Sequence, residues 1–408
     1  MNYFLDASIF RRNRNFLLLY IGQFASFFGT MITGVALPYQ IYTETHSTLM
    51  VGLLSLAQLL PLLVTALIGG VFADRYHRRM LLLTAEALLA IGCLLLAWNA
   101  LLAVPQIGAI FAVAIAMSAV NGLHRPALDS IVQQIVDKKD FATVSAVTSF
   151  KYSVAMIMGP AIGGLIIGHF GIVITYLADF MSFLVSLIAL LMMLHIPKPL
   201  RGRDESTWAS LKEGFRYAFS RQELVGTYVV DFIAMIFGMP SALFPAIALS
   251  TGGPKILGML YSAPAVGALV ISFFSGAASQ VKRHGRAIAI AAIGWGVAII
   301  FFGFSSQLIW ILFFLALAGA FDAISGIFRG IMWNQTIPNQ LRGRLSGIEM
   351  ISYLSGPKLG DTEAGIVASL FGITTSIVSG GVLCVAGVMA CCYFLPKFWR
   401  YHAESDHA

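Results

Sequence analysis

The decapeptide Gly70-Val71-Phe72-Ala73-Asp74-Arg75-Tyr76-His77-Arg78-Arg79 carries four full charges and a histidine, with a long apolar run on each side of it. Each run reaches the roughly 20 mainly apolar residues that a helix needs to cross a bilayer. A soluble chain spreads such charges over its surface. Here they are crowded into a connection of a few residues, so two membrane-spanning segments must turn around it. A short basic connection of this kind marks the cytoplasmic side.

Composition points the same way. The chain is 58% hydrophobic and 11% charged, against about 25% charged residues in soluble domains. The net charge of +7 is a matter of placement. Of the 26 Lys and Arg, 21 fall in segments assigned to the cytoplasm, one (Lys255) in an outer loop, and four (Arg125, Lys151, Arg329, Lys358) inside spans. That partition is a topology signal and no nucleic-acid footprint. Cys93, Cys384, Cys391 and Cys392 all sit in apolar runs and read as buried small hydrophobes, without metal or disulfide context. The basic N-terminus leads into an apolar stretch without a small-residue cleavage site, as an uncleaved first span would.

Spans are expected near 16–41, 49–72, 80–103, 107–134, 142–168, 172–195, 224–249, 255–279, 287–305, 308–335, 344–370 and 373–396. Lipid leaves helices as the fitting element, because open backbone groups find no partner there. The expected architecture is therefore an all-α membrane protein of twelve transmembrane helices in two pseudo-symmetric six-helix bundles. Residues 1–196 form the first bundle, 197–223 a cytoplasmic linker, and 224–408 the second bundle with a short tail. An even span count with Lys397 and Arg400 behind the last one puts both termini in the cytoplasm. Within the linker, Trp208, Leu211, Phe215 and Phe219 recur at helical spacing after Asp204 to Thr207, which predicts a capped amphipathic helix on the inner membrane face.

The two halves repeat each other. Gly70 has its counterpart in Gly276, 206 positions on; Asn121, Gln134 and Ser145 correspond to Asp322, Gln335 and Ser346 at a spacing of 201. Gly159-Pro160-x-x-Gly163 and Gly168 return as Gly356-Pro357-x-x-Gly360 and Gly365 at a spacing of 197. Duplicated membrane halves are the mark of a transporter that rocks about a central site.

At these residues the chain resembles the major facilitator superfamily over essentially its whole length. Gly70, Asp74, Arg75, Arg78 and Arg79 resemble the family's loop signature, with His77 where a second glycine is common and Gln280 at the acidic place of the second copy. Such a cluster latches the cytoplasmic side in one state, Asp74 pairing with Arg78 or Arg79 and with a helix N-terminus. Gly159, Pro160, Gly163 and Gly164 resemble the fifth-helix motif of proton-coupled exporters. Asp231 to Met235, Gly238-Met239-Pro240, Leu243 to Ala246 and Leu341 to Arg344 look like the subgroup of enterobactin exporters and macrolide efflux pumps.

Charges inside spans are costly and tend to be functional. Four basic residues face eight acidic ones (Glu86, Asp129, Asp179, Asp231, Asp322, Glu349, Asp361, Glu363), an excess of four carboxylates. Some of these are expected to rest protonated, which makes proton antiport the natural mechanism. Arg125 and Asp129, four apart, can neutralise each other; Lys358 and Asp361 are three apart, and Asp361 and Glu363 lie within reach of the outer headgroups. Asp322, Glu86 and Asp231 remain as candidates for proton coupling, with Asp322 two turns from Arg329 on one helix face. Arg125, Lys151 and Arg329 are candidates to hold an anionic or catechol-bearing substrate, or to pair with nearby carboxylates. Phe24, Phe27, Phe28, Phe237 and Trp333 are candidate pocket walls. His124, beside Arg125 in a span, reads first as a hydrogen-bonded packing residue, with a proton relay as the other reading.

Nucleotide-binding Gly-Lys-Ser/Thr loops and the HExxH and GxSxG motifs are missing from the sequence, which argues against an enzyme. No cofactor and no metal site is expected. The resemblance implies a proton-driven exporter of an enterobactin-like siderophore in the bacterial inner membrane, acting as a monomer on a small molecule and protons. A multidrug or macrolide efflux pump, an importer of an organic ion, and a transport-inactive sensor are the other readings.

Overall fold

The computed structural model describes residues 8–194, 216–274, 276, 280–338 and 342–402, with side chains at all of these except 8, 70, 71, 73–75, 342–344 and 346–350. Helices dominate, and no strand occurs among the described residues. In chain order they are α1 (Ser8–Arg12), α2 (Arg14–Thr45), α3 (Thr48–Arg75), α4 (Arg78–Ala100), α5 (Ile107–Ile135), α6 (Phe141–Met192) and α7 (Gln222–Gly238). There follow α8 (Phe244–Thr251), α9 (Pro254–Phe273), α10 (His284–Phe304), α11 (Leu308–Thr336), α12 (Arg342–Phe371), α13 (Ile373–Phe394) and α14 (Pro396–Trp399). Ten described stretches are long and apolar enough to cross a membrane. The chain is an all-α, multi-pass membrane protein.

Helix α6 spans 52 residues but is two helices meeting at Gly171, whose φ of 81° and ψ of 176° are open to glycine and strained for other residues. The same device ends α12: Gly372, with φ 89° and ψ 159°, caps α13. These two glycines stand 201 positions apart (372 − 171), the offset that relates Asn121 to Asp322 in the sequence repeat. Each joins two helices through a single residue.

The residues divide into two compact units. Unit one comprises residues 1–46, 57–203 and 248–262. In it α2 packs along α6, and α4 lies against α5 and α6. Asn13 caps α2, its side-chain oxygen accepting from Phe16 N at 2.9 Å. Leu19, Leu82, Ile131 and Leu190 form a buried core near the helix ends. The predicted fifth-helix motif is a packing surface. A Cβ on Gly159 would meet Met31 Cβ at 2.5 Å, one on Gly163 would meet Ile32 Cα at 3.2 Å, and one on Gly164 would meet Pro254 O at 2.5 Å. Only side chains of hydrogen size let these backbones approach so closely.

Unit two comprises residues 47–56, 204–247 and 263–408. Helix α10 lies against α11 and α13, and α7 packs on α12 and α13. The expected span 224–249 is broken: α7 ends at Gly238, and a 3-10 turn at Ser241–Leu243 precedes α8. Pro240 is the cause, since it supplies no N–H and restricts Met239 before it. A break inside a membrane needs partners for the freed backbone groups. Trp295 Nε1 donates to Gly238 O at 2.9 Å, and Asp361 Oδ1 accepts from Ala242 N at 2.9 Å. Asp361 also accepts from Ser241 Oγ, and from Ser55 Oγ at 2.8 Å. Its reach toward headgroups, expected from position alone, gives way to this role as a brace for the broken helix.

Of the predicted linker helix, Trp208, Leu211 and Phe215 lie outside the described residues, while Phe219 is exposed at the end of a described helical stretch.

Candidate functional site

The loop cluster is resolved in part. The side chains of Asp74 and Arg75 lie outside the described residues. Arg78 Nη1 donates to Ser130 O at 3.2 Å, and Arg79 donates to Leu190 O at 2.8 Å and Leu191 O at 2.6 Å. Both arginines therefore hold carbonyls in or near the last turns of α5 and α6, where the helix dipole favours positive charge.

Unit one contains a cavity of about 510 Å³ lined by residues of α2, α5 and α6, among them Tyr20, Gln23, Asp129, Ser149, Lys151 and Tyr152. Lys151 is 4% exposed. Its ammonium lies 4.7 Å from the centre of the Tyr152 ring, and the Arg125 guanidinium lies 5.4 Å from the same ring. Arg125 pairs with Asp129 at 3.6 Å, as their spacing on α5 predicts. Phe27 meets the edge of Tyr152 at 4.7 Å between centroids, and Tyr20 stacks toward Phe24. The result is an aromatic recess with two cations at one ring. Chemically it suits a flat ligand bearing negative charge.

Unit two holds Arg329, the third of the cations expected to meet substrate. Arg329 on α11 pairs with Asp231 on α7 through Nη1, and with Asp322 through Nη2 at 3.6 Å. One guanidinium thus serves two carboxylates. Asp231 is nearly buried, whereas the Asp322 side chain is 43% exposed. The seven-residue spacing of Asp322 and Arg329 was readable in the sequence; the arrival of Asp231 from α7 was not. Trp333, a suggested pocket wall, donates to Thr227 Oγ1 at 2.9 Å and packs on Tyr228.

Glu86 is fully buried in unit one. Its Oε1 accepts from Gln23 Nε2 at 2.7 Å and Ser26 Oγ at 3.3 Å, and lies 3.0 Å from His124 Nε2. His124 is thus tied to a carboxylate across two helices. Asp179 is likewise buried and accepts from Thr33 Oγ1 at 2.5 Å, Ser182 Oγ at 3.0 Å and Cys93 Sγ at 3.3 Å. Cys93 is buried as expected, and its thiol also serves this carboxylate. Glu349 has no described side chain. No group of three or more metal-binding side chains occurs among the described residues.

Membrane-length helices with charged residues held among them are the architecture of a membrane transporter. The chain belongs to the transmembrane secretion effector family of the major facilitator superfamily, whose model matches residues 8–407. It is 27% identical over 392 residues to the enterobactin exporter EntS of Citrobacter koseri, covering 95% of this chain and 94% of that one. The enterobactin exporter EntS of Shigella boydii is also 27% identical, over 390 residues with the same coverage. Among solved structures, a bacterial homolog of the human lysosomal transporter Spinster matches with a TM-score of 0.77 at 14% identity, over 97% of this chain and 98% of that one. A D-xylose-proton symporter matches with a TM-score of 0.71 at 15% identity, over 96% and 98%. The protein is a transporter and not an enzyme, and it works on a small molecule in a membrane.

Proposed function

We propose that this chain exports an enterobactin-like siderophore across the bacterial inner membrane by alternating access, driven by protons. The observation that carries the substrate class is the recess of unit one, where Lys151 and Arg125 meet the ring of Tyr152. A catecholate offers the flat ring and the oxyanion that such a recess would hold. The secretion family and the exporter relatives support the outward direction.

In this reading the bundles 1–196 and 224–408 rock within a single monomer, joined by 197–223, with both termini cytoplasmic. Gly70, Asp74, Arg75, Arg78 and Arg79 latch the cytoplasmic side, and Gly159, Pro160, Gly163 and Gly164 hold the outer half tight. Asp231, Arg329 and Asp322 couple transport to protons. Protonating Asp322, the more exposed carboxylate, frees one side of the Arg329 guanidinium; losing that proton recaptures it.

The test is enterobactin secretion by a deletion strain that carries the gene on a plasmid. Wild type is expected to restore secretion, and an uncoupler to stop it. Asp322→Asn, fixed in a protonated-like state, is expected to exchange substrate downhill while losing uphill export. Restored secretion that persists without a proton gradient would sink the coupling. No restoration, with a drug extruded instead, transfers the chain to efflux of that drug.

A further inference from the structure

We propose that Glu86 and His124 form a second proton-carrying site, lying in unit one and linked by Gln23 to the cavity that takes the substrate. This goes beyond the coupling cluster of unit two and rests, for its link to substrate, on the export reading above.

The geometry of Glu86 is lopsided. Three groups converge on Oε1 (Gln23 Nε2, Ser26 Oγ and His124 Nε2), while Oε2 is buried and has no hydrogen-bond partner among the described residues. A carboxylate spreads its charge over both oxygens, and a buried, unpartnered charged oxygen is among the costliest arrangements in a protein. A proton removes that charge: on Oε1 it forms an O–H aimed at His124 Nε2, with Gln23 and Ser26 still donating to the same oxygen and Oε2 left as an uncharged carbonyl. The neutral acid therefore fits the site as it stands.

The surroundings contain an exit and a sensor. His124, with 14% of its side chain exposed, is the member of the pair that reaches the surface of the unit, whereas Glu86 is enclosed. With His124 in its Nδ1–H tautomer, the carboxyl gives its proton to Nε2 as Nδ1–H gives one to water. Glu86 is left as carboxylate and His124 as neutral imidazole, so the net change is one proton released. On α2, Gln23 lines the cavity and shares its amide between Glu86 and Ser186 Oγ at 3.3 Å. A ligand hydroxyl donating to the Gln23 carbonyl polarises the amide, whose N–H then holds a carboxylate better. Substrate arrival thereby favours proton departure, as antiport requires. The remaining groups facing the pair are few. Ser26 and Gln23 come from α2, Ser186 and the buried Asp179 from α6, and Asp179 is near enough to feel the charge of Glu86.

Two measurements on purified full-length protein test this. In the first, without ligand, infrared difference spectra recorded against pH should show a buried carboxyl C=O band that vanishes in Glu86→Gln and titrates at a different pH in His124→Gln. In the second, iron-free enterobactin is added to weakly buffered protein with an indicator dye. In an Asp322→Asn background, which silences the unit-two site, the protein should release about one proton per bound ligand, and with Glu86→Gln added it should bind without release. A band or a proton release that survives Glu86→Gln overturns the assignment, as does a band indifferent to His124→Gln. If Glu86→Gln does not fold, His124→Gln alone decides through the band. Absence of enterobactin binding would count against the export reading only, because the first measurement needs no ligand.

Discussion

Arg329 is the residue on which two carboxylates depend, and its removal should be the most damaging single change in unit two. Breaking a buried ion pair by deleting one partner costs about 3–5 kcal/mol, mostly from the charge left behind. Arg329→Ala is therefore expected to lower the thermal unfolding temperature in detergent sharply, since Asp231 is only 14% exposed. Adding Asp231→Asn should recover most of the loss. A double variant no more stable than the single one would show that the stranded Asp231 charge is not what costs the stability. In unit one the ammonium of Lys151 faces the Tyr152 ring. A charge-assisted hydrogen bond from this ammonium to a catecholate oxyanion is worth about 1.5–3 kcal/mol, so Lys151→Gln should weaken catecholate binding at least about tenfold. Titration calorimetry with enterobactin reads this directly, and unchanged affinity would remove Lys151 from the site. These partnerships show the limit of the sequence. Arg125 and Asp129 or Asp322 and Arg329 share a helix face at fixed spacing and can be read from one strand of text. Asp231 with Arg329, or Glu86 with His124, depends on how two helices are rotated against each other, which spacing within either helix does not encode.

At the scale of elements, the long apolar runs and the glycine motif were legible because membrane length and close packing leave direct marks on composition. The broken helix α7 was not, although Pro240 stood in view, because apolar residues continue on both sides of it and hydropathy sees no interruption. What makes the break tolerable is tertiary: Asp361 arrives from α12 and accepts from Ser55, Ser241 and Ala242 N. Asp361→Ala strands those donors, at about 1–3 kcal/mol each where buried, and should lower thermal stability where Asp361→Asn retains part of it. Gly171 makes a second case. Forcing a side chain into its positive-φ, extended conformation costs about 1–3 kcal/mol, so Gly171→Ala should destabilise by about that amount. A Cβ there meets nothing within 4 Å, as at Gly34 inside α2. Gly34→Ala serves as the control, expected to be neutral or slightly stabilising because alanine is the better helix former. Equal stability of the two variants would show that Gly171 is not held in this conformation in the membrane.

For the whole molecule, the decisive quantity is which face of the membrane each connection meets, and the partition of Lys and Arg predicts it. Lys255 is the one basic residue assigned outside, against 21 inside. Orientation follows such asymmetry because translocating basic loops is disfavoured. The structure decides where the probes must go. His284 is buried, packed on the rings of Phe328 and Tyr401, so a cysteine there would resist labelling on either side and report nothing. Lys282, Tyr76, Glu44 and Lys255 are exposed and suit the purpose. The four native cysteines are removed first, Cys93 as serine so that Asp179 keeps a hydroxyl donor in place of the thiol. Single cysteines at Glu44 and Lys255 should then react with an impermeant maleimide added to intact spheroplasts, while those at Tyr76 and Lys282 should react only after the membrane is opened. Labelling of Tyr76→Cys from outside would invert the orientation. The loop cluster would then face the periplasm, and an arginine-rich latch on the cytoplasmic side would have to be abandoned with it.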